Sequence, residues 1–156
     1  MKEVYNELEK FKIPYEKVDH EAVFTVEQSQ KIKEKIDGIG CKNLFLKDSK
    51  NNYYLIVLED QHQISLKEIA QKINSKRLSF ASKEELEKIL GLYPGAVTPF
   101  GILNDFENKC IIVIEESLKN QKLLFHPNTN TATISIAYLD LIAFIELKKH
   151  EYKIIK

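Results

Sequence analysis

Lys42 and Asn43 stand side by side at the start of a short apolar run, Cys41-Lys42-Asn43-Leu44-Phe45-Leu46-Lys47-Asp48. A lysine ammonium is a compact charge with three donors, suited to a phosphate or carbonyl oxygen, and the neighbouring carboxamide both donates and accepts. More than eighty residues later, His126-Pro127-Asn128-Thr129-Asn130-Thr131-Ala132-Thr133 supplies an imidazole, carboxamides and hydroxyls. Between them, Gly91-Leu92-Tyr93-Pro94-Gly95-Ala96-Val97-Thr98-Pro99-Phe100-Gly101 holds three of the five glycines and two of the four prolines. That concentration marks a backbone path closed to ordinary residues, and glycines let a substrate approach main-chain amides closely. Gathered in one pocket, these groups could recognise an ester and a phosphate. Each segment also has a plainer explanation: a solvated lysine at a strand start, a long helix-to-strand connection, and an edge histidine followed by turn residues.

Other combinations carry less. Asp19-His20-Glu21 sets a histidine between carboxylates, but neighbours on an extended segment point to opposite faces, so adjacency makes no triad. His62 and His150 read as surface residues. The chain has no Gly-x-Ser-x-Gly elbow, phosphate loop or dinucleotide fingerprint. Cys41 and Cys110 lack a local catalytic signature and, far apart in sequence, read as reduced thiols of a cytosolic protein. Without a Cys-x-x-Cys or His-x-x-x-His pair, no structural metal is expected.

The elements that must position these groups fit one domain spanning 1–156. With 44% hydrophobic and 29% charged residues, the 156-residue chain has the composition of a soluble globular protein. Its 23 basic and 23 acidic residues cancel, which argues against wide gripping of a DNA duplex but leaves room for a small contact with a nucleic-acid end. No apolar run approaches the roughly 20 residues that span a bilayer. MKEVYNELEKF reads as an amphipathic helix and not a signal peptide, so the expected compartment is the cytoplasm. Thr25-Val26-Glu27-Gln28, Ser65-Leu66-Lys67-Glu68 and Ser82-Lys83-Glu84-Glu85 are capping-box starts. They predict helices over 26–37, 66–74 and 83–90, joined by others over 2–11 and 136–149. The last carries apolar Leu139, Ile142, Ala143, Ile145 and Leu147. Strands are expected over 15–18, 43–47, 53–58, 78–81, 110–114, 123–126 and 131–136, with turns at 48–52 and 127–130. Helices and strands without βαβ alternation predict an α+β domain with a mixed, largely antiparallel sheet.

Taken in order, four segments resemble one family. Asp19–Glu27, Lys42–Asp48, Gly95–Gly101 and Phe125–Thr133 are similar to the free-standing aminoacyl-tRNA deacylases related to the editing domain of bacterial prolyl-tRNA synthetase, the YbaK-like superfamily. Within it, the PrdX-type branch that deacylates Ala-tRNA(Pro) fits best. The resemblance implies a barrel-like sheet surrounded by helices, and a hydrolase that works without metal or cofactor on the acceptor end of a mischarged tRNA, with prolyl-tRNA synthetase as a further partner. It assigns Lys42 to holding the terminal phosphate or ester end, and the main chain of Gly101 to orienting the attacking water. Asn43, Thr98, Pro99, Phe100, His126, Asn130 and Thr131 fall on the substrate side. Where many relatives have Gly-Ser-Val-Thr-Pro, this chain has Ala96 and lacks that hydroxyl, a difference that bears on substrate preference. The logic is physical: a site built for proline rejects smaller alanine by only about 1–3 kcal/mol, so a second, smaller pocket must remove the error. Two alternatives accompany this expectation, a deacylase of Cys- or Ser-charged tRNA and a non-catalytic module binding tRNA or the synthetase.

Overall fold

Three helices begin where a hydroxyl can cap them. In the computed structural model, which describes residues 2–23 and 25–156, α2 (Val26–Lys33) is capped by Thr25. The Thr25 hydroxyl accepts from the Gln28 amide and the Gln28 side chain accepts from the Thr25 amide, both at 3.1 Å. Ser82 and Glu85 repeat this exchange at α4 (Lys83–Leu90). At α3 (Leu66–Ile73) only the hydroxyl half is made, from the Glu68 amide to Ser65. Each cap satisfies amides that the first helical turn leaves without partners and contributes about 1 kcal/mol. Phe24, within the Asp19–Glu27 segment, lies outside the described residues, as does Met1.

The strands are β1 (Glu16–Asp19), β2 (Ile39–Asp48), β3 (Tyr53–Glu59), β4 (Leu78–Phe80), β5 (Cys110–Glu115), β6 (Lys122–Phe125), β7 (Ala132–Ala137) and β8 (Tyr152–Ile155). They form one eight-stranded sheet in the order β1-β7-β6-β2-β3-β5-β8, with β4 also on β2. The β1–β7, β2–β3, β2–β4 and β6–β7 ladders are antiparallel, and β2–β6, β3–β5 and β5–β8 are parallel. The expected α+β class with a mixed, largely antiparallel sheet is the fold observed.

β2 organises it. Ile39 and Gly40 pair in parallel with Leu123 and Leu124 of β6, whereas Cys41–Lys47 pair antiparallel with β3. Strand alternation then divides its side chains. Cys41 and Phe45 pack on the larger core with α4, β5, β7 and the helix α5 (Tyr138–Leu147), while Leu44 and Leu46 pack on a smaller core under α3. The 48–52 turn is held by Asp48, which accepts from the Lys50 and Asn52 amides at 2.9 Å each.

Several boundaries differ from expectation. α2 ends at Lys33, and β7 runs on to Ala137, so α5 starts only at Tyr138. On α5 the inward residues are Tyr138, Leu141, Phe144 and Ile145, while Leu139 and Leu147 face solvent. β8 was not anticipated, nor was the 3-10 helix Pro99–Asn104. His150 is no surface residue: it is buried, with Nε2 2.9 Å from Asp105, whose carboxylate also takes the Lys109 and Cys110 amides. His62 pairs with the nearly buried Glu115.

Candidate active site

A cavity of about 90 Å³ opens where β2, β6 and β7 meet α2. Asn43 and Cys41 reach it from β2, His126 from the end of β6, Thr133 from β7, and Ser29, Ile32 and Lys33 from α2. Its walls are thus brought together by the parallel β2–β6 register and the β6–β7 hairpin. Asn43 Oδ1 is buried there without a hydrogen-bond partner among the described residues, an arrangement that normally costs about 1–3 kcal/mol.

One histidine stands in this wall and a second behind it. His126 Nδ1 lies 3.0 Å from the Ala132 carbonyl and donates to it, which leaves Nε2 as an acceptor on the neutral ring. Burial pushes its pKa below the ordinary histidine value, with the Ala132 bond opposing. His20 Nε2 is 2.9 Å from the Thr133 hydroxyl, and its ring lies edge-on to His126 with centroids 6.3 Å apart. Sequence adjacency gave His20 no role. Its partner is 113 residues away across the β1–β7 pairing, which extends to the bond from the His20 amide to the Thr131 carbonyl.

An ion pair sits at the mouth. Lys33 on α2 meets Asp60, just past β3, and the two cross directly over Gly40. A Cβ on residue 40 would stand 2.6 Å from Lys33 Cε, so only glycine leaves room for the pair in this position. Beyond it a wider groove of about 500 Å³ continues past Thr25, Gln61 and Gly95. No motif announces Lys33 or Asp60; the sole signal available in sequence was the glycine. Cys41 also lines the cavity, but burial raises its pKa to about 12, so it is a neutral thiol and no nucleophile.

The 91–101 segment has two parts. Gly95, at φ +98°, borders the groove. Tyr93 ties this part to the 126–131 turn: its hydroxyl donates to Asn130 Oδ1 at 3.1 Å and accepts from the Asn130 amide at 3.0 Å. The second part is core. Thr98 is fully buried at the start of the 3-10 helix, and Phe100 packs edge-on against Phe125 and Phe144. The Phe100 carbonyl accepts from Asn128 at 3.4 Å and so steadies the turn that carries His126.

Asn43 and His126 are therefore brought together in the cavity, and Lys42 and Gly101 are not among its lining residues. The rule that separates Asp19 from His20 also separates Lys42 from Asn43, since consecutive strand residues face opposite ways. The Lys42 ammonium donates to the His62 carbonyl. Gly101 is buried against Leu90 and Leu92, and its amide donates to the Thr98 carbonyl at 3.1 Å. Asn130 is held by Tyr93, and exposed Thr131 pairs with Thr129. Thr98, Pro99 and Phe100 stand one layer back. Among the described residues no cluster of three or more His, Cys, Asp or Glu could hold a metal, and no helix is long and apolar enough to cross a membrane.

Residues 20–144 match the family described as "Aminoacyl-tRNA editing domain". The chain belongs to this family. This editing domain is 39% identical to the "Prolyl-tRNA editing protein ProX" of Acetoanaerobium sticklandii, over 98% of the chain and 94% of that protein. It is 30% identical to the "Prolyl-tRNA synthetase associated domain-containing protein 1" of Danio rerio, over 96% and 83% respectively. Among solved structures, a crystal structure given provisionally as a trans-editing enzyme for prolyl tRNA synthetase superposes with a TM-score of 0.74, covering 99% of this chain and 95% of the other at 18% identity. That likeness concerns the fold. In sequence, the editing domain begins at His20 and ends within α5, so it takes in the whole cavity wall.

Proposed function

We propose that this protein hydrolyses the ester of mischarged tRNA in trans, with Ala-tRNA(Pro) as substrate. The observation that carries the reading is the small cavity walled by Asn43, His126 and Thr133 and opening onto a wider groove, in a chain of the editing family. The aminoacyl group enters the cavity, whose small volume of about 90 Å³ favours a small side chain over a larger one. The acceptor end lies along the groove. Single-stranded ends are held by shape, stacking and few phosphates, as befits a chain of zero net charge.

Positioning does most of the chemistry. A water held against the ester attacks the carbonyl carbon, the acyl–oxygen bond breaks, and the water's proton passes to the departing ribose oxygen, with the neighbouring ribose hydroxyl assisting. Lys33 is already at the mouth, and Lys42 reaches the acceptor phosphate by leaving the His62 carbonyl. Gly101 and Thr98–Phe100 act by position: they anchor the turn that carries His126. Prolyl-tRNA synthetase is the partner whose errors such an enzyme would clear.

The test is deacylation of Ala-, Cys-, Ser- and Pro-tRNA(Pro) by the wild type and by Lys42→Ala and Lys33→Ala. The wild type should clear Ala-tRNA(Pro) and spare Pro-tRNA(Pro), and each variant should raise KM. Hydrolysis of none of the four above the spontaneous rate would remove the deacylase reading and favour a binding module. Full activity in Lys42→Ala would remove the role given to that lysine.

A further inference from the structure

The hydrogen-bonding groups facing the cavity are unevenly divided between donors and acceptors. Asn43 Oδ1 is buried and has no partner among the described residues. His20 Nδ1, 2.7 Å from the Glu21 carbonyl, must carry the proton of that bond, because a carbonyl only accepts. His20 Nε2 on the neutral ring is then an acceptor, and the Thr133 hydroxyl 2.9 Å away donates into it. With its proton committed behind the wall, Thr133 Oγ1 presents only lone pairs to the cavity. His126 repeats the pattern, with Nδ1 bonded to the Ala132 carbonyl and Nε2 left as an acceptor. The Cys41 thiol donates to the Ile39 carbonyl at 3.6 Å and likewise turns only sulfur lone pairs elsewhere. Asp60 adds a carboxylate at the mouth, and Lys33 beside it is tied to that carboxylate. Ser29, on the facing helix, has a hydroxyl that rotates to either role.

We propose that this wall of acceptors is a recognition site for a primary ammonium, the α-amino group of the aminoacyl ester, with Asn43 and Thr133 as specificity-determining residues and His20 as the positioning residue that turns the Thr133 hydroxyl. The assignment rests on the deacylase reading above for the identity of the ligand. An ammonium brings three donors and a positive charge to these lone pairs, of which Asn43 Oδ1 has no partner among the described residues. A secondary amine such as prolyl brings one donor fewer, so the site separates alanyl from prolyl by hydrogen-bond count as well as by size. An α-hydroxy ester or an N-acylated ester has no such charge and is rejected on the same ground. Sites built around a polar group of the substrate exclude analogues lacking it more strongly than apolar pockets exclude a missing methylene.

Binding of small amides separates this assignment from turnover. Isotope-labelled protein is titrated with L-alaninamide, L-lactamide, N-acetyl-L-alaninamide and L-prolinamide, and backbone amide shifts are followed by NMR. Alaninamide should move the Asn43 and Thr133 resonances and bind about 10-fold or more tightly than lactamide or N-acetyl-alaninamide, the worth of a charge-assisted hydrogen bond. Thr133→Val, which swaps the hydroxyl for a methyl, should lose about 10-fold in alaninamide affinity and leave lactamide unchanged, while Thr133→Ser keeps the preference. Equal binding of alaninamide and lactamide, no shift with any probe, or an unchanged preference in Thr133→Val would overturn the proposal. Alaninamide binding without tRNA deacylation would sink the deacylase reading and leave the ammonium site standing. Deacylation of alanyl- and lactyl-tRNA with equal kcat/KM would do the reverse.

Discussion

Replacing Gly40 by alanine should disable the cavity while leaving the fold nearly unchanged in stability. The added Cβ would stand 2.6 Å from Lys33 Cε and 2.7 Å from Nζ, and closer still to Asp60 Oδ2. Ordinary contact begins near 3.4 Å, so Lys33 must retreat by about 0.8 Å, the difference between 3.4 and 2.6 Å, and Asp60 by somewhat more. Both retreating groups end flexible side chains that are 26% and 27% exposed. A pair so placed contributes about 0.2–1 kcal/mol. The alanine also stiffens the unfolded chain, which stabilises by about 0.4–1 kcal/mol where the native backbone tolerates it. Gly40 lies on β2 outside the positive-φ region, so the two effects nearly cancel. Activity should respond differently. A displacement approaching 1 Å at groups that flank the substrate costs about 100-fold in rate. The assay is kcat/KM for alanyl-tRNA deacylation, with urea unfolding of the same preparations. Wild-type turnover in Gly40→Ala at unchanged stability would refute the placement of the Lys33–Asp60 pair in the substrate's path. A stability loss above about 3 kcal/mol would instead show that residue 40 touches more than that pair.

Gly101→Ala should do the opposite. Its Cβ would meet Leu92 Cδ1 at 2.8 Å and Leu90 Cβ at 3.0 Å inside the core, an overpacking that costs about 1–3 kcal/mol. Thermal unfolding should fall by roughly 2–4 °C per kcal/mol while turnover per folded molecule stays near wild type; an inactive but fully stable variant would restore a direct role to its main chain. Glu85 yields a pH prediction. The Ser82 amide, then the Tyr53 hydroxyl and Lys47, hold its carboxyl at about 2, below the ordinary 4.5. A depressed folded value stabilises above the ordinary value and is lost as pH falls from 4.5 towards about 2. Urea midpoints across that window should drop less steeply for Glu85→Gln, and an unaltered acid slope would count against this set of bonds.

What could be read from the residues was whatever local chemistry controls. Thr25, Ser65 and Ser82 mark their helices because a cap acts within one turn. His126, before Pro127, was legible as a strand end facing a polar turn, and Asn43 as a carboxamide at a strand start. The rest of the cavity is assembled by pairing over long separations. Nothing near His20 points to Thr133, and nothing near Lys33 points to Asp60 except the bare Gly40 between them. Lys42 suited the chemistry by residue type, but strand parity turns it away from the cavity and its ammonium meets the His62 carbonyl instead. β8 was missed because only Ile155 of its four residues is buried, which leaves no pattern to detect. Thr98-Pro99 did carry a start signal, a capping hydroxyl and a proline at the first helical position, but the following Phe-Gly-Ile-Leu-Asn gave it no helical period.

The shared strand β2 has a consequence for when the site comes into being. Its β3 and β4 pairings join segments close along the chain, and β3 can go on to collect β5. Its pairing with β6 brings Gly40 to Leu124, residues 84 positions apart, and only this step sets Asn43 beside His126 and Thr133. Contacts closing so long a loop form late, because the chain entropy must be overcome before the contact is made. A half-made molecule therefore holds a β2–β3–β5 layer and no cavity. Hydrolytic power over aminoacyl esters would appear only in the finished chain, and recovery of activity during refolding would time the closure of β2 on β6.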